Sequence, residues 1–143
     1  MKANDLMTHP PVTCRLDDSV ASAAMSMKLN NIGFLPVTDS LGMLVGVVTD
    51  RDLALRVLAE SWPADTCVSE VMTSHVVKCA PGDDFSTILE KMTDARKSRI
   101  AVVAHERCVG VISLADVAVA GGDSRKGWRA LAAISTREVS PEL

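Results

Sequence analysis

The chain has 143 residues, a length that corresponds to about one domain and allows a substantial hydrophobic core. Its hydrophobic content of 48% argues against disorder, and its net charge of −3 argues against the broad basic surface typical of nucleic-acid binding. The first residues contain no apolar signal core, and no run is long enough to span a membrane. We therefore expect a cytoplasmic protein that does not bind membranes, and nucleic-acid binding is the weakest of the functions considered.

The cysteines and histidines do not have the spacing of a metal or redox site. Cys14, Cys67, Cys79 and Cys108 form no CxxC motif, and no histidine has an acid at metal-ligand spacing. Cys14 and Cys79 fall in short strand-like segments, where cysteine usually serves as a small buried apolar residue. We predict reduced cysteines and no bound metal.

The main feature of the sequence is an internal repeat with a period of about 65 residues. Met7-Thr8 matches Met72-Thr73, and the sequence GVVTDRD at positions 46–52 matches GVISLAD at positions 110–116. The repeat predicts two units, residues 1–62 and 63–120, followed by a linker and C-terminal helix in residues 121–143.

Each repeat has the pattern of a strand, a helix, two strands and a second helix. In chain order, the predicted strands of the first repeat are residues 12–14, 35–38 and 44–49, and those of the second are 76–79, 100–104 and 108–113. The first helix of each repeat has an apolar stripe with i, i+3, i+4, i+7 spacing: Val20, Ala23, Ala24 and Met27, or Phe85, Ile88, Leu89 and Met92. An acid pair, Asp17-Asp18 or Asp83-Asp84, is placed to cap that helix. The second helices begin at Asp52 and Asp116.

This pattern predicts an α+β fold in which two βαββα repeats pack against each other. A three-stranded sheet with helices on one face leaves its other face exposed, so neither repeat has a complete core alone. Residues 127–138 form the predicted C-terminal helix, with a stripe of Trp128, Leu131, Ala132 and Ser135.

The repeated seven-residue motif joins a strand to a helix and is suited to holding a small polar ligand. An apolar β-branched run ends in Thr49 or Ser113, and three residues later Asp52 or Asp116 opens the helix. Such a junction directs backbone N–H groups, a hydroxyl and a carboxylate toward one point. The alternative is that the acids only cap their helices.

The doubled motif, the twice-used Met-Thr and the Leu-Pro-Val strand at residues 35–37 together resemble a tandem pair of cystathionine β-synthase (CBS) domains, the Bateman module. The resemblance extends from Lys2 to about Ala120. It implies two pseudo-symmetric βαββα repeats joined through their sheets, with two clefts that bind AMP, ADP, ATP or S-adenosylmethionine as a regulatory ligand and no required cofactor. It also implies a homodimer.

The resemblance further implies which residues line the two clefts. Asp52 and Asp116 would accept the ribose hydroxyls, and Thr49 and Ser113 would face the phosphate. Each cleft would combine the motif of one repeat with strand residues of the other. The Asp52 cleft would contain Thr49, Arg51, Lys97, Ser98, Arg99, Ile100, Ala101 and Val77. The Asp116 cleft would contain Ser113, Val12, Phe34, Leu35 and Pro36.

The charges of these two sets predict that the clefts differ. Arg51, Lys97 and Arg99 would make the Asp52 cleft prefer a phosphorylated adenosine. The Asp116 cleft, with few phosphate partners, would bind weakly or take a less charged ligand. For Lys97 and Arg99 the alternative is an ordinary solvated loop.

The sequence therefore favours a ligand-sensing regulatory module whose occupancy is read by a separate effector protein. One alternative is a dimerisation or interaction module for a partner enzyme or transporter that binds no small molecule. Another is a nucleotide-processing enzyme, but no nucleophile with a nearby base and no metal constellation is found in the sequence, so we predict no catalytic residues.

Overall fold

The computed structural model describes residues 1–121 and 125–138, which form two compact units. The contiguous unit is Pro11–Val76, and the split unit combines Met1–Pro10 with Val77–Leu143. These units divide the chain at different positions from the sequence repeat, because the segment that precedes each repeat's first strand packs with the other repeat.

The two units have the same sheet topology. In the contiguous unit the strands are β1 (Cys14–Arg15), β2 (Phe34–Thr38) and β3 (Leu44–Thr49). In the split unit they are β4 (Lys78–Cys79), β5 (Arg99–Ala104) and β6 (Arg107–Ser113). The first strand of each sheet pairs in parallel with the middle strand, which pairs antiparallel with the third. The predicted α+β class and strand order are confirmed.

Helices connect and follow these strands. In chain order they are α1 (Ala3–Leu6), α2 (Val20–Asn30), α3 (Asp50–Asp52), α4 (Phe85–Ala95), α5 (Leu114–Gly121) and α6 (Arg125–Glu138). A π-helix, Leu53–Leu58, continues α3, and a 3-10 helix occupies Val68–Glu70. The second helices of the two repeats therefore differ, since α5 is a regular α-helix.

Each unit has its own hydrophobic core beneath its sheet. The predicted helical stripes supply Val20, Ala23 and Met27 to one core and Ile88, Leu89 and Met92 to the other. Ala24 was predicted in the first stripe but is exposed. Cys14 and Cys79 are buried as predicted, and burial raises the pKa of their thiols to about 12 and about 11. Both thiols therefore stay protonated at neutral pH.

The acid pairs were predicted as helix caps, and this is correct for only one of the two helices. The carboxylate of Asp84 accepts the N–H of Thr87 and caps α4. In α2 the cap is the hydroxyl of Ser19, the residue at the repeat position of Asp84. Asp18 and Asp83 instead accept a backbone N–H three residues earlier, each at 2.9 Å. The hydrogen bond from Ala80 holds the pKa of Asp83 below its ordinary value.

Helix α6 packs against α4 and α5 of the split unit. Among the described side chains of α6, Ile134 is buried, and it was not in the predicted stripe. Trp128 is 62% exposed and Ala132 is exposed, whereas Leu131 is partly buried, so the predicted stripe is wrong at Trp128 and Ala132. The side chain of Ser135 lies outside the described part of the chain.

The segment that leads into each repeat forms the same hydrogen bonds in its unit. The N–H of Ala3 donates to the carbonyl of Asp83, and the N–H of Val68 donates to the carbonyl of Asp18, both at 2.8 Å. Ala3 and Val68 are fully buried. The segment before the first repeat therefore docks on the sheet of the second repeat, and the segment before the second repeat docks on the sheet of the first.

The repeated Met-Thr pair and the glycine of the repeated motif are contact partners. Thr8 forms an antiparallel bridge with Val111, and Thr73 forms the equivalent bridge with Val47. Next to these bridges, the side chain of Met7 covers Gly110 and that of Met72 covers Gly46. A Cβ atom on Gly46 would lie 2.8 Å from the sulfur of Met72 and 2.9 Å from the backbone oxygen of Thr73, which cannot move aside as a side chain can.

Candidate functional site

The two motifs have the same hydrogen-bonded geometry. The N–H of Thr49 donates to the carboxylate of Asp52 at 2.9 Å, and the N–H of Asp52 donates to the hydroxyl of Thr49 at 3.1 Å. Ser113 and Asp116 form the same reciprocal pair at 2.8 and 3.1 Å. These are capping boxes, in which the hydroxyl residue is the cap and the acid closes the first turn. The second helices therefore begin two residues earlier than predicted, and the acids occupy the third helical position of a capping box instead of the N-cap position.

Capping does not exhaust the acceptor capacity of the two acids. In each capping box only one carboxylate oxygen accepts the backbone N–H. An ionised carboxylate offers about four acceptor positions. Both side chains are partly exposed, with 16% of the Asp52 side chain accessible. Each motif can therefore accept hydrogen bonds from the hydroxyl groups of a ligand while it caps its helix.

The residue across the sheet from the motif hydroxyl differs between the units. Arg99 on β5 lies directly opposite Ser113, whereas Phe34 on β2 lies directly opposite Thr49. Side chains that are directly opposite in an antiparallel pair project from the same face, with Cβ atoms about 5 Å apart. The second motif therefore has a cation beside its hydroxyl, and the first has an aromatic ring.

The loop that leads to Arg99 is attached to the second motif. The N–H of Leu114, the first residue of α5, donates to the carbonyl of Ser98 at 2.7 Å. Lys97 and Arg99 are exposed on either side of Ser98. The strand register thus places the cation Arg99 beside the second motif within its own unit. The expectation that the Asp116 cleft has few phosphate partners stays a prediction. The predicted grouping of Lys97 and Arg99 with Asp52 stays a prediction.

The other predicted cleft residues fall into three environments. Leu35 and Ile100 are fully buried in the cores of their units, and Pro36 and Ala101, which follow them on β2 and β5, are buried as well. Val12 and Val77 are partly buried against those cores. Arg51 is exposed. The main role of the Leu35 and Ile100 side chains is therefore to stabilise the cores of their units.

Arg56 was not identified from the sequence, although it directly contacts the first motif. Its Nε atom lies 3.7 Å from Oδ1 of Asp52, and its Nη1 atom donates to the carbonyl of Val71 at 2.9 Å. The i,i+4 spacing of Asp52 and Arg56 is a recognisable ion-pair pattern. The residue at the same repeat position in the split unit is Ala120.

Comparison with known proteins identifies the family of the chain. The family model of the CBS domain matches residues 3–59 and 68–122. The chain is a tandem pair of CBS domains. Such a pair is a Bateman module, as the doubled motif indicated.

Relatives of similar length support this assignment. The CBS pair is 34% identical to the uncharacterized protein YlbB of Bacillus subtilis over 135 residues, which cover 94% of this chain and 91% of that protein. It is 33% identical to the CBS domain-containing protein YhcV of the same organism, over 94% of this chain and 96% of YhcV.

A solved structure with bound ligands has the same fold. The CBS domain pair of protein MJ0100, crystallised with 5-methylthioadenosine and S-adenosyl-L-methionine, has a TM-score of 0.78 to this chain and 28% identity. The match covers 87% of this chain and 98% of that structure. This relative shows that a CBS pair of this fold can be crystallised with adenosine-type molecules.

Within residues 1–121 and 125–138, no group of three or more histidine, cysteine or acidic residues could hold a metal ion. No helix in this part of the chain has the length and apolarity needed to cross a bilayer.

Proposed function

We propose that this CBS pair is a regulatory module that binds an adenosine-type ligand through its two Thr/Ser-x-x-Asp capping boxes. The observation that carries the proposal is the identical geometry of the two motifs, each of which presents a carboxylate with remaining acceptor capacity at a strand-to-helix junction. A ribose diol is a pair of donors that suits such a carboxylate. The presence of S-adenosyl-L-methionine and 5-methylthioadenosine in the related pair supports this ligand class.

The ligand preference of each motif follows from its cross-strand neighbour. A guanidinium group forms strong charge-assisted hydrogen bonds to phosphate, so Arg99 favours a ligand such as AMP, ADP or ATP at the Ser113–Asp116 motif. Phe34 favours contact with the ring of a nucleoside at the Thr49–Asp52 motif. This assignment reverses the order expected from the sequence, which depended on grouping Arg99 with Asp52.

Calorimetric titration of AMP, adenosine and S-adenosylmethionine tests the proposal. Asp52→Asn and Asp116→Asn keep an oxygen for the capping box but remove the negative charge and one acceptor. We expect each change to weaken binding at its own motif by about tenfold or more, because a hydrogen bond to a charged group is lost. Unchanged thermal unfolding would show that the caps persist. If none of the three ligands binds the wild-type chain, the proposal is wrong. Recovery of unaltered AMP would support binding rather than turnover.

A second candidate function, an interaction module that forms a homodimer, is favoured by exposed apolar side chains on two helices. Leu29 on α2 and Leu58 on the π-helix are 76% and 79% exposed, and these two helices contact each other. Exposed apolar surface of this kind often marks a protein interface. The partner would be a second copy of the chain or an effector protein.

Sedimentation measurements on charged variants test this second candidate. If Leu29 and Leu58 lie in a dimer interface, changing both to glutamate should convert the dimer to a monomer. Leu41→Glu is the matched control, since Leu41 is 68% exposed but lies in the turn between β2 and β3. A wild-type chain that sediments as a monomer would contradict the homodimer, and a dimer that survives both glutamates would place its interface elsewhere.

A further inference from the structure

Arg56 connects the first motif to a segment that docks on the same sheet. Its guanidinium lies between the carboxylate of Asp52 and the carbonyl groups of Val71 and Met72, at 3.7 Å from the carboxylate and 2.9 and 3.5 Å from the carbonyls. Half of the arginine side chain is exposed, whereas Asp52 is mostly covered. One planar cation with several donors can hold an acid and a carbonyl at once.

The carbonyl groups held by Arg56 belong to the docking segment, which we define as residues 68–73. It begins with the 3-10 helix and ends in the bridge between Thr73 and Val47, whose two hydrogen bonds are 2.9 and 2.8 Å long. Val47 lies on β3, two residues before Thr49. The docking segment and the first motif thus share a strand and are joined a second time by Arg56.

Arg56 lies within the π-helix. Leu53–Leu58 has π-helical geometry, with the N–H of Ala59 donating to the carbonyl of Ala54 five residues earlier. Inserted π-turns are uncommon and occur frequently at functional sites. In the split unit α5 is a regular helix and Ala120 replaces the arginine, yet Thr8 still docks on Val111. Docking in the split unit therefore occurs without an arginine at this position.

We propose that Arg56 is a positioning residue that couples the carboxylate of Asp52 to the docking segment 68–73. Hydroxyl donors that bind Asp52 fix its carboxylate, and Arg56 transmits this restraint to the carbonyl of Val71. Ligand binding thereby stabilises docking, and by linkage docking strengthens ligand binding. The ligand-dependent part of this inference rests on the proposed function, whereas the link between Asp52, Arg56 and Val71 does not.

Amide hydrogen exchange of the full chain without ligand tests the link itself. The amides of Thr73 and Val47 report docking in the contiguous unit, and those of Thr8 and Val111 report the equivalent docking in the split unit. Arg56→Met should speed exchange at Thr73 and Val47 by about tenfold, since a charged hydrogen-bond donor is lost. Asp52→Asn should speed it by about threefold, as expected for a partly exposed ion pair.

The double variant and a matched control decide whether the two side chains act together. Arg56→Met combined with Asp52→Asn should exchange no faster than Arg56→Met alone. Asp116→Asn, which alters a capping box without an arginine at i+4, should leave Thr8 and Val111 unchanged. Independent, multiplicative effects of the two changes, or no effect of Arg56→Met, would overturn the proposal.

A second arm adds adenosine, the ligand class proposed for the first motif, to the wild type and to Arg56→Lys. Lysine keeps the charge but lacks the planar fork that reaches both partners. We expect adenosine to slow exchange at Thr73 and Val47 by about fivefold in the wild type and by much less in Arg56→Lys. Equal protection in both would refute the coupling. Absence of adenosine binding to either chain would count against the proposed function, while the ligand-free arm would still decide the role of Arg56.

Discussion

Gly110→Ala is expected to destabilise the chain by about 2 kcal/mol through overpacking. The new Cβ would contact the sulfur of Met7 and would lie 2.8 and 2.9 Å from its Cγ and Cβ atoms. A methionine can move its sulfur away, but its Cβ follows the backbone. That backbone is held by the hydrogen bonds between Thr8 and Val111, at 2.9 and 3.1 Å. Urea unfolding measures the change.

Gly82→Ala is the matched control for this substitution. No atom lies within 4 Å of the position of its added Cβ, so we expect stability to change by less than about 0.5 kcal/mol. Gly46→Ala should resemble Gly110→Ala, since its Cβ would lie 2.9 Å from the carbonyl oxygen of Thr73. If Gly110→Ala behaves like Gly82→Ala, the close packing of Met7 on β6 is wrong.

Arg99→Met is expected to weaken AMP binding by about tenfold and to leave adenosine binding unchanged, because only AMP carries the phosphate that the guanidinium would bind. Parallel calorimetric titrations of AMP and adenosine measure the difference. The ratio of the two affinities separates loss of a phosphate partner from general damage to the site.

Arg107→Met is the control for charge in this experiment. Arg107 is also exposed and lies at the opposite end of the same strand pair, across from Ala104. The substitution Arg107→Met removes one positive charge from the same sheet and leaves Arg99 beside Ser113. Equal loss of AMP affinity in both variants would indicate a general effect of net charge and would contradict the role of Arg99.

The strands and their order could be predicted from the sequence, but the neighbour of Ser113 could not. The turn at His105 and Glu106 has positive φ at both residues and pairs Ala104 with Arg107. Continued without interruption, this register would place Arg99 opposite Ile112. A β-bulge between Val102 and Val103 shifts the pairing by one residue and brings Arg99 opposite Ser113. Apolar alternation does not reveal where such a bulge occurs.

The repeated Met-Thr pair and the repeated glycine are visible in the sequence, but the contact between methionine and glycine is not. Periodicity aligns Met7 with Met72 and Gly46 with Gly110, but it contains no information on which methionine covers which glycine. That choice depends on contacts between residues far apart in the chain. In contrast, the pairing of Asp52 with Arg56 is local, and the i,i+4 rule would have been sufficient to predict it.

The division of the chain into a contiguous and a split unit has a consequence for vectorial synthesis on the ribosome. Every strand of the contiguous unit is translated between Pro11 and Val76, so this unit can fold as soon as that stretch has emerged. Met7 and Thr8 emerge earlier, but their partners Gly110 and Val111 emerge about a hundred residues later. Residues 7 and 8 thus wait for about a hundred further residues before their partners exist, and docking in the split unit is a late step of folding during synthesis.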